Sequence, residues 1–153
     1  MKAPVETIIR DLSELKEYAR AFIALHPTGS VVGLSGELGA GKTAFVRACV
    51  EALSENLGLS LPRVTSPTYV IHQRYTLGEK RIDHFDLYRL ENISSVGLDE
   101  LHYFDIIEES KALAGFVFVE WPEQCIKSVN LGLIKRLEIT VKNEWRYVNE
   151  CLC

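Results

Sequence analysis

The sequence predicts one α/β domain over residues 1–153: three layers around a mixed, largely parallel central sheet, with β-hairpin additions. Three observations predict it. Val31–Leu34 and "GFVFV" at Gly115–Val119 are apolar without alternation, the pattern of strands buried on both faces in a parallel sheet. Helical periodicity occupies the stretches between such runs. Two pairs of segments rich in aromatic and β-branched residues flank short polar turns and read as hairpins. At 153 residues the chain matches the usual size of one domain and can bury a core without a staple.

Val5–Arg10 alternates weakly and reads as a strand. Ser13 is the expected N-cap of a first helix, in which Leu15, Tyr18, Ala19, Phe22 and Ile23 recur at helical spacing, and Pro27-Thr28-Gly29 ends it. After the strand Val31–Leu34, Thr43–Leu57 reads as a helix with Phe45, Val46, Cys49, Val50 and Leu53 inward. Tyr69–Thr76 and Arg81–Tyr88 pair around Leu77–Lys80. Leu98–Glu109 holds one or two short helices, and Leu133–Val141 with Trp145–Asn149 forms a closing hairpin. Cys151-Leu152-Cys153 reads as a frayed, reduced tail rather than a metal clip.

Composition narrows the function classes. Lys and Arg number 17 against 21 Asp and Glu, a formal net charge of −4 without a basic stripe, so a tight direct grip on nucleic acid is disfavoured. "MKAPVETIIRDL" has no apolar signal core and no run approaches membrane-spanning length. A cytoplasmic protein with no membrane partner is the expectation.

Gly36-x-x-x-x-Gly41-Lys42-Thr43 carries every residue of the Walker A pattern, with a strand before it and a helix after it. Its glycines let backbone N–H groups turn inward on a phosphate, and the helix adds its positive end. Lys42 would reach the β- and γ-phosphates, and the Thr43 hydroxyl would ligate Mg²⁺. The domain is therefore expected to be P-loop NTPase-like. Glu120 ends the apolar strand, where a second magnesium-organising carboxylate belongs; the plainer alternative is an exposed strand end. Trp121 beside it is either a core aromatic or a nucleotide sensor. "VTSPTY" at Val64–Tyr69 supplies the hydroxyls of Thr65, Ser66 and Thr68 for a switch, or is ordinary turn chemistry. In "HFDLYR" a strand would put His84 and Asp86 on one face, so that Asp86 faces the nucleotide or a partner, or else braces the turn at Tyr88 and Arg89.

Taken in order, "GELGAGKTAFVR", "VTSPTYV", "HFDLYRL" and "FVEWPE" resemble the TsaE family, formerly the YjeE-type ATPases, over about residues 5 to 140. The resemblance implies an ATPase, weak when alone, that supports N6-threonylcarbamoyladenosine formation beside the tRNA anticodon. It would be accessory to a TsaD-type transferase and a TsaB-type scaffold, meeting tRNA only through that complex. It also implies ATP on Gly36, Glu37, Leu38, Gly39, Ala40, Gly41, Lys42, Thr43 and Ala44, and Mg²⁺ on Thr43 and Glu120. Lys42, Asp86 and Glu120 would be catalytic. Two positions depart from the family pattern: Glu37 stands in place of aspartate, and Leu15 lies near the site of a threonine in the first helix.

Other classes remain in view. A regulatory GTPase would need a guanine-reading N-K-x-D element, and "KNEW" at Lys142–Trp145 is not one. A small-molecule kinase would need an arginine-bearing lid, and no long Arg-rich insertion lies between Glu91 and Ala114. A module that holds ATP without hydrolysing it would not need the Thr43 and Glu120 pair.

Overall fold

The computed structural model describes residues 5–62 and 70–153. Seven strands form one sheet in the order β1-β7-β6-β2-β5-β4-β3. They are β1 (Val5–Ile9), β2 (Ser30–Ser35), β3 (His72–Leu77), β4 (Lys80–Asp86), β5 (Phe116–Glu120), β6 (Lys135–Lys142) and β7 (Trp145–Leu152). The helices are α1 (Leu12–Leu25), α2 (Lys42–Asn56), α3 (Ser95–Glu100) and α4 (Tyr103–Ala112). The contiguous run β6-β2-β5-β4 is parallel, and β3, β7 and β1 add antiparallel flanks. The expected three-layer α/β domain with hairpin additions is present.

Every residue of β2 and β5 is buried, because each strand has neighbours on both sides and side chains packed on both faces. Alternation divides them into two cores. Val32, Leu34, Phe116 and Phe118 face α1 and α2, and Val31, Val117 and Val119 face α3 and α4. Phe45 joins the first core together, meeting Phe22 edge-on at 5.3 Å and Phe118 edge-on at 5.8 Å. No helix among the described residues is long and apolar enough to cross a membrane.

Several boundaries shift for local reasons. Asp11, not Ser13, caps α1: its Oδ1 accepts the Glu14 N–H at 2.9 Å. The β3–β4 turn is two residues, Gly78-Glu79, because Leu77 pairs with Lys80. Strand β4 stops at Asp86 rather than Tyr88, where the Asp86 carboxylate accepts the Tyr88 N–H at 3.0 Å and turns the chain. Cys151 is not in a frayed tail, since it lies in β7 opposite Arg136 of β6. The proposed switch residues Thr65, Ser66 and Thr68 lie outside the described residues.

Candidate functional site

Parallel register builds the site. Leu34 of β2 aligns with Glu120 of β5, and Glu120 aligns with Asp86 of β4, so the carboxyl ends of three strands form one row. Ligands of open α/β sheets bind at this edge. The loop Gly36–Gly41 leaves β2 there and enters α2. Gly36 has φ 151°, and a Cβ on it would lie 2.4 Å from the Ile139 carbonyl oxygen, so glycine is required. Gly41, at φ 108°, is the N-cap of α2 and supplies no side-chain cap, leaving the first-turn N–H groups unanswered by a side chain.

Lys42 is 4% exposed and folds back across the loop. Its Nζ donates to the carbonyl oxygens of Gly36 at 2.6 Å and Glu37 at 2.9 Å, and stands 4.2 Å from the centre of the Trp121 ring. Burial pushes its ammonium pKa below the usual lysine value, opposed by the charges of Glu120, Glu123 and Asp86. Trp121 is held in the left-handed region at φ 58°, an uncommon conformation for a bulky residue, with its N–H on the Leu34 carbonyl at 3.0 Å. That placement carries the indole under Lys42 and within 5.0 Å of the Tyr88 ring.

Glu120 is 3% exposed and therefore not a free strand end. Its Oε1 accepts the Thr43 hydroxyl at 2.7 Å and His84 Nε2 at 2.8 Å. His84 is fully buried on the neighbouring strand, one diagonal step from Glu120. Donation to a carboxylate puts the imidazole proton on Nε2, and Nδ1 has no hydrogen-bond partner among the described residues. Asp86 completes the row. Burial raises its carboxyl pKa, with the Glu120 charge adding to the rise, while the Tyr88 N–H, His84 and Lys42 pull the other way.

Lys42, Thr43, Asp86, Glu120 and Trp121 line a cleft of about 550 Å³, together with Leu38, Gly39 and Arg89. A second, apolar groove of about 230 Å³ lies on the other side of the α2 N-terminus, lined by Ile9, Leu12, Leu15, Tyr18 and Phe45 among others. The structure thus brings Lys42, Thr43, Asp86, Glu120 and Trp121 to one cleft. Two contributors escaped the sequence reading. Strand alternation places His84 on the face of Asp86, but its role as a brace for Glu120 follows from the β4–β5 register. Arg146 of β7, which lines both cavities, carries no local motif.

A parallel strand core with a glycine loop running from β2 into α2 at its carboxyl edge defines a P-loop NTPase-like domain. The family described as "Threonylcarbamoyl adenosine biosynthesis protein TsaE" matches residues 9–149, and the chain belongs to that family. Relatives named tRNA threonylcarbamoyladenosine biosynthesis protein TsaE include one from Nostoc, 38% identical over 63% of this chain and 54% of its own length. Another, from Bacillus subtilis, is 34% identical over 84% of this chain and 72% of its own. The aligned stretch therefore spans about half of the Nostoc relative. Among solved structures, YdiB of Bacillus subtilis superposes with a TM-score of 0.63 at 25% identity, covering 100% of this chain and 88% of YdiB.

Proposed function

We propose that this chain is an ATPase supporting tRNA N6-threonylcarbamoyladenosine formation, accessory to a transferase of the TsaD type and a scaffold of the TsaB type. The observation that carries the nucleotide part is the meeting of Lys42, Thr43 and Glu120 at the α2 N-terminus. The residues fit the group. An ammonium seated on neutral carbonyl oxygens, beside uncapped helix N–H groups, is a site for an anion. A hydroxyl and a carboxylate sharing one contact are the hard oxygen donors that Mg²⁺ takes.

Gly36–Ala44 would wrap the phosphates, with Lys42 turning from its two carbonyl acceptors toward the terminal ones. Thr43 and Glu120 would hold Mg²⁺, which when bound neutralises phosphate charge. The apolar groove beside Leu15 and Tyr18 would take the adenine, in keeping with the leucine found in place of a threonine. Asp86, its basicity raised by burial, is suited to orient a water and accept its proton. Trp121 would register the departure of Lys42 from its ring. The exposed ring of Tyr88 and the neighbouring exposed Arg89 side chain would offer partners a surface at the cleft mouth. Turnover by the chain alone is slow, because a partner completes the arrangement. The family name supports the pathway, and the cytoplasm is the proposed compartment.

The test is reconstitution with transferase, scaffold and tRNA. Wild-type chain supports repeated rounds of modification. Asp86→Asn binds ATP within a few-fold of wild type yet fails to support them. Full modification with Asp86→Asn would remove Asp86 from the mechanism, and brisk ATP turnover by the lone chain would favour a stand-alone enzyme.

A further inference from the structure

We infer that Glu123 is a positioning residue: bonded in a closed triangle with Ser35 and Arg136, it pins the turn after β5 to the start of the glycine loop and so holds the Trp121 ring against Lys42. The inference rests on the nucleotide reading proposed above and adds a residue that acts only through others. The Ser35 hydroxyl donates to Glu123 Oε2 at 3.0 Å and accepts Arg136 Nε at 2.7 Å. Arg136 Nη2 closes the triangle, donating to the same Oε2 at 2.9 Å. Three elements meet in it: the last residue of β2, the short 3₁₀ turn Pro122–Gln124, and β6.

The sheet is shaped to receive that turn. Arg136 aligns with Gly33 of β2, and a Cβ on Gly33 would lie 2.8 Å from Leu133 Cδ1 and 3.3 Å from Pro122 Cγ. The missing side chain lets the turn lie close on the strand. Ser35 is two residues on and shares the face of Gly33, so its hydroxyl meets the turn where strand becomes loop. Gly36, the next residue, accepts Lys42 Nζ on its carbonyl oxygen at 2.6 Å. On the other side, Glu123 lies two residues past Trp121, whose ring centre is 4.2 Å from the same Nζ. One triangle thus ties together two partners of the ammonium.

Backbone strain explains why a tie is needed. Trp121 has φ 58° and ψ 49°. A bulky residue keeps that left-handed conformation only where its surroundings over-determine it. Backbone bonds of 3.0 Å, Trp121 N–H to Leu34 and Gln124 N–H to Trp121, hold the start of the turn, and the Glu123 carboxylate holds its middle. The Glu123 and Arg136 side chains are 41% and 34% exposed, and an exposed ion pair adds little stability, so what the triangle supplies is geometry. The Glu123 charge also favours the Lys42 ammonium against its burial. The two effects separate, because both bonds converge on one oxygen and a glutamine carbonyl can accept both without the charge.

The experiment uses a Trp145→Phe background, which leaves Trp121 as the sole tryptophan. Acrylamide quenching of Trp121 is measured without nucleotide, and its emission is then followed as Mg²⁺-ADP is added. Glu123→Ala, Arg136→Leu and Glu123→Gln are compared, with thermal melting as the check on folding. Arg136→Leu opens the same triangle from β6 and decides the case if Glu123→Ala fails to fold. In both truncations the quenching constant is expected to rise about twofold as the strained turn relaxes. The emission change on adding ADP falls to less than about half, since the ring no longer sits at the ammonium. Glu123→Gln stays close to the background chain in both readouts. Unchanged quenching in the truncations would overturn the inference while leaving the nucleotide reading intact. A Glu123→Gln variant that behaves like Glu123→Ala would overturn it too, assigning Glu123 to its charge on Lys42. Altered quenching with a full ADP response would reduce the triangle to a structural brace and overturn the positioning role. Failure of the wild-type chain to bind ADP would sink the nucleotide reading and this inference with it.

Discussion

The Thr43 hydroxyl donates to Glu120 Oε1 at 2.7 Å, joining the first turn of α2 to the end of β5. This bond answers one oxygen of a buried carboxylate. It also holds in contact the two oxygen donors proposed to take Mg²⁺. Glu120→Gln keeps the size of the side chain and removes the charge. ADP still binds this variant, but the gain in affinity on adding Mg²⁺, measured by titration calorimetry with and without the metal, falls to less than about a third of wild type. Hydrolysis falls with it. An undiminished magnesium effect would show that Glu120 is a structural carboxylate.

His84 braces that carboxylate from the opposite side. His84→Leu removes the Nε2 donor, a bond to a charged group worth about 1.5–3 kcal/mol. His84→Gln can restore a donor near the same place, and loses no Nδ1 bond among the described residues. His84→Leu is expected to weaken the magnesium enhancement of ADP binding with little change in magnesium-free affinity, and His84→Gln to recover most of it. Equal loss in both variants, or loss in magnesium-free binding alone, would assign His84 to packing.

Asp83 points to the other face of β4 and serves stability. It is fully buried, with His72 Nε2 and Arg74 Nε each 2.8 Å from Oδ1. Arg81 Nε lies 2.9 Å from Oδ2, an ion contact rather than an aligned hydrogen bond. Burial alone would raise its pKa, but the bonds from His72 and Arg74 and the charges of Arg74 and Arg81 outweigh burial and hold it below the usual aspartate value. A depressed carboxyl stabilises the fold fully above its unfolded pKa of about 3.9, and that stability is lost as pH falls through the lower folded value. Asp83→Asn is expected to cost about 3–5 kcal/mol near neutral pH by breaking the buried ion pair with Arg81. It also flattens the decline in stability below about pH 4. Urea melts at pH 7 and pH 3 measure both effects, and a loss that is equal at the two pH values would refute the charge argument.

The glycine loop between β2 and α2 was legible in the sequence because eight consecutive residues and their flanking elements carry it. Glu120 was legible as a strand end, though its burial and its bond to Thr43 depend on the parallel β2–β5 register. The three-layer architecture followed from unbroken apolar strands. The exact end of β4 did not, because Asp86 turns the chain with a side-chain bond that competes with continued pairing. The cap of α1 was not legible: Asp11, two residues before the expected Ser13, takes the Glu14 N–H. Arg146 left no local signal at all. Its position over Gly41 depends on β7 being inserted between β1 and β6, an order that periodicity does not encode.

The central claim is that the loop around Lys42 binds an adenine nucleotide. Calorimetric titration of Mg²⁺-ATP and Mg²⁺-GTP into wild type and Lys42→Ala tests it most directly. Lys42→Ala removes the ammonium proposed to bond the terminal phosphates, and charge-assisted bonds are worth about 1.5–3 kcal/mol each, so ATP affinity falls at least about tenfold. Wild type binds ATP in preference to GTP. Tight GTP binding, or a Lys42→Ala variant that binds ATP as wild type does, would contradict the account.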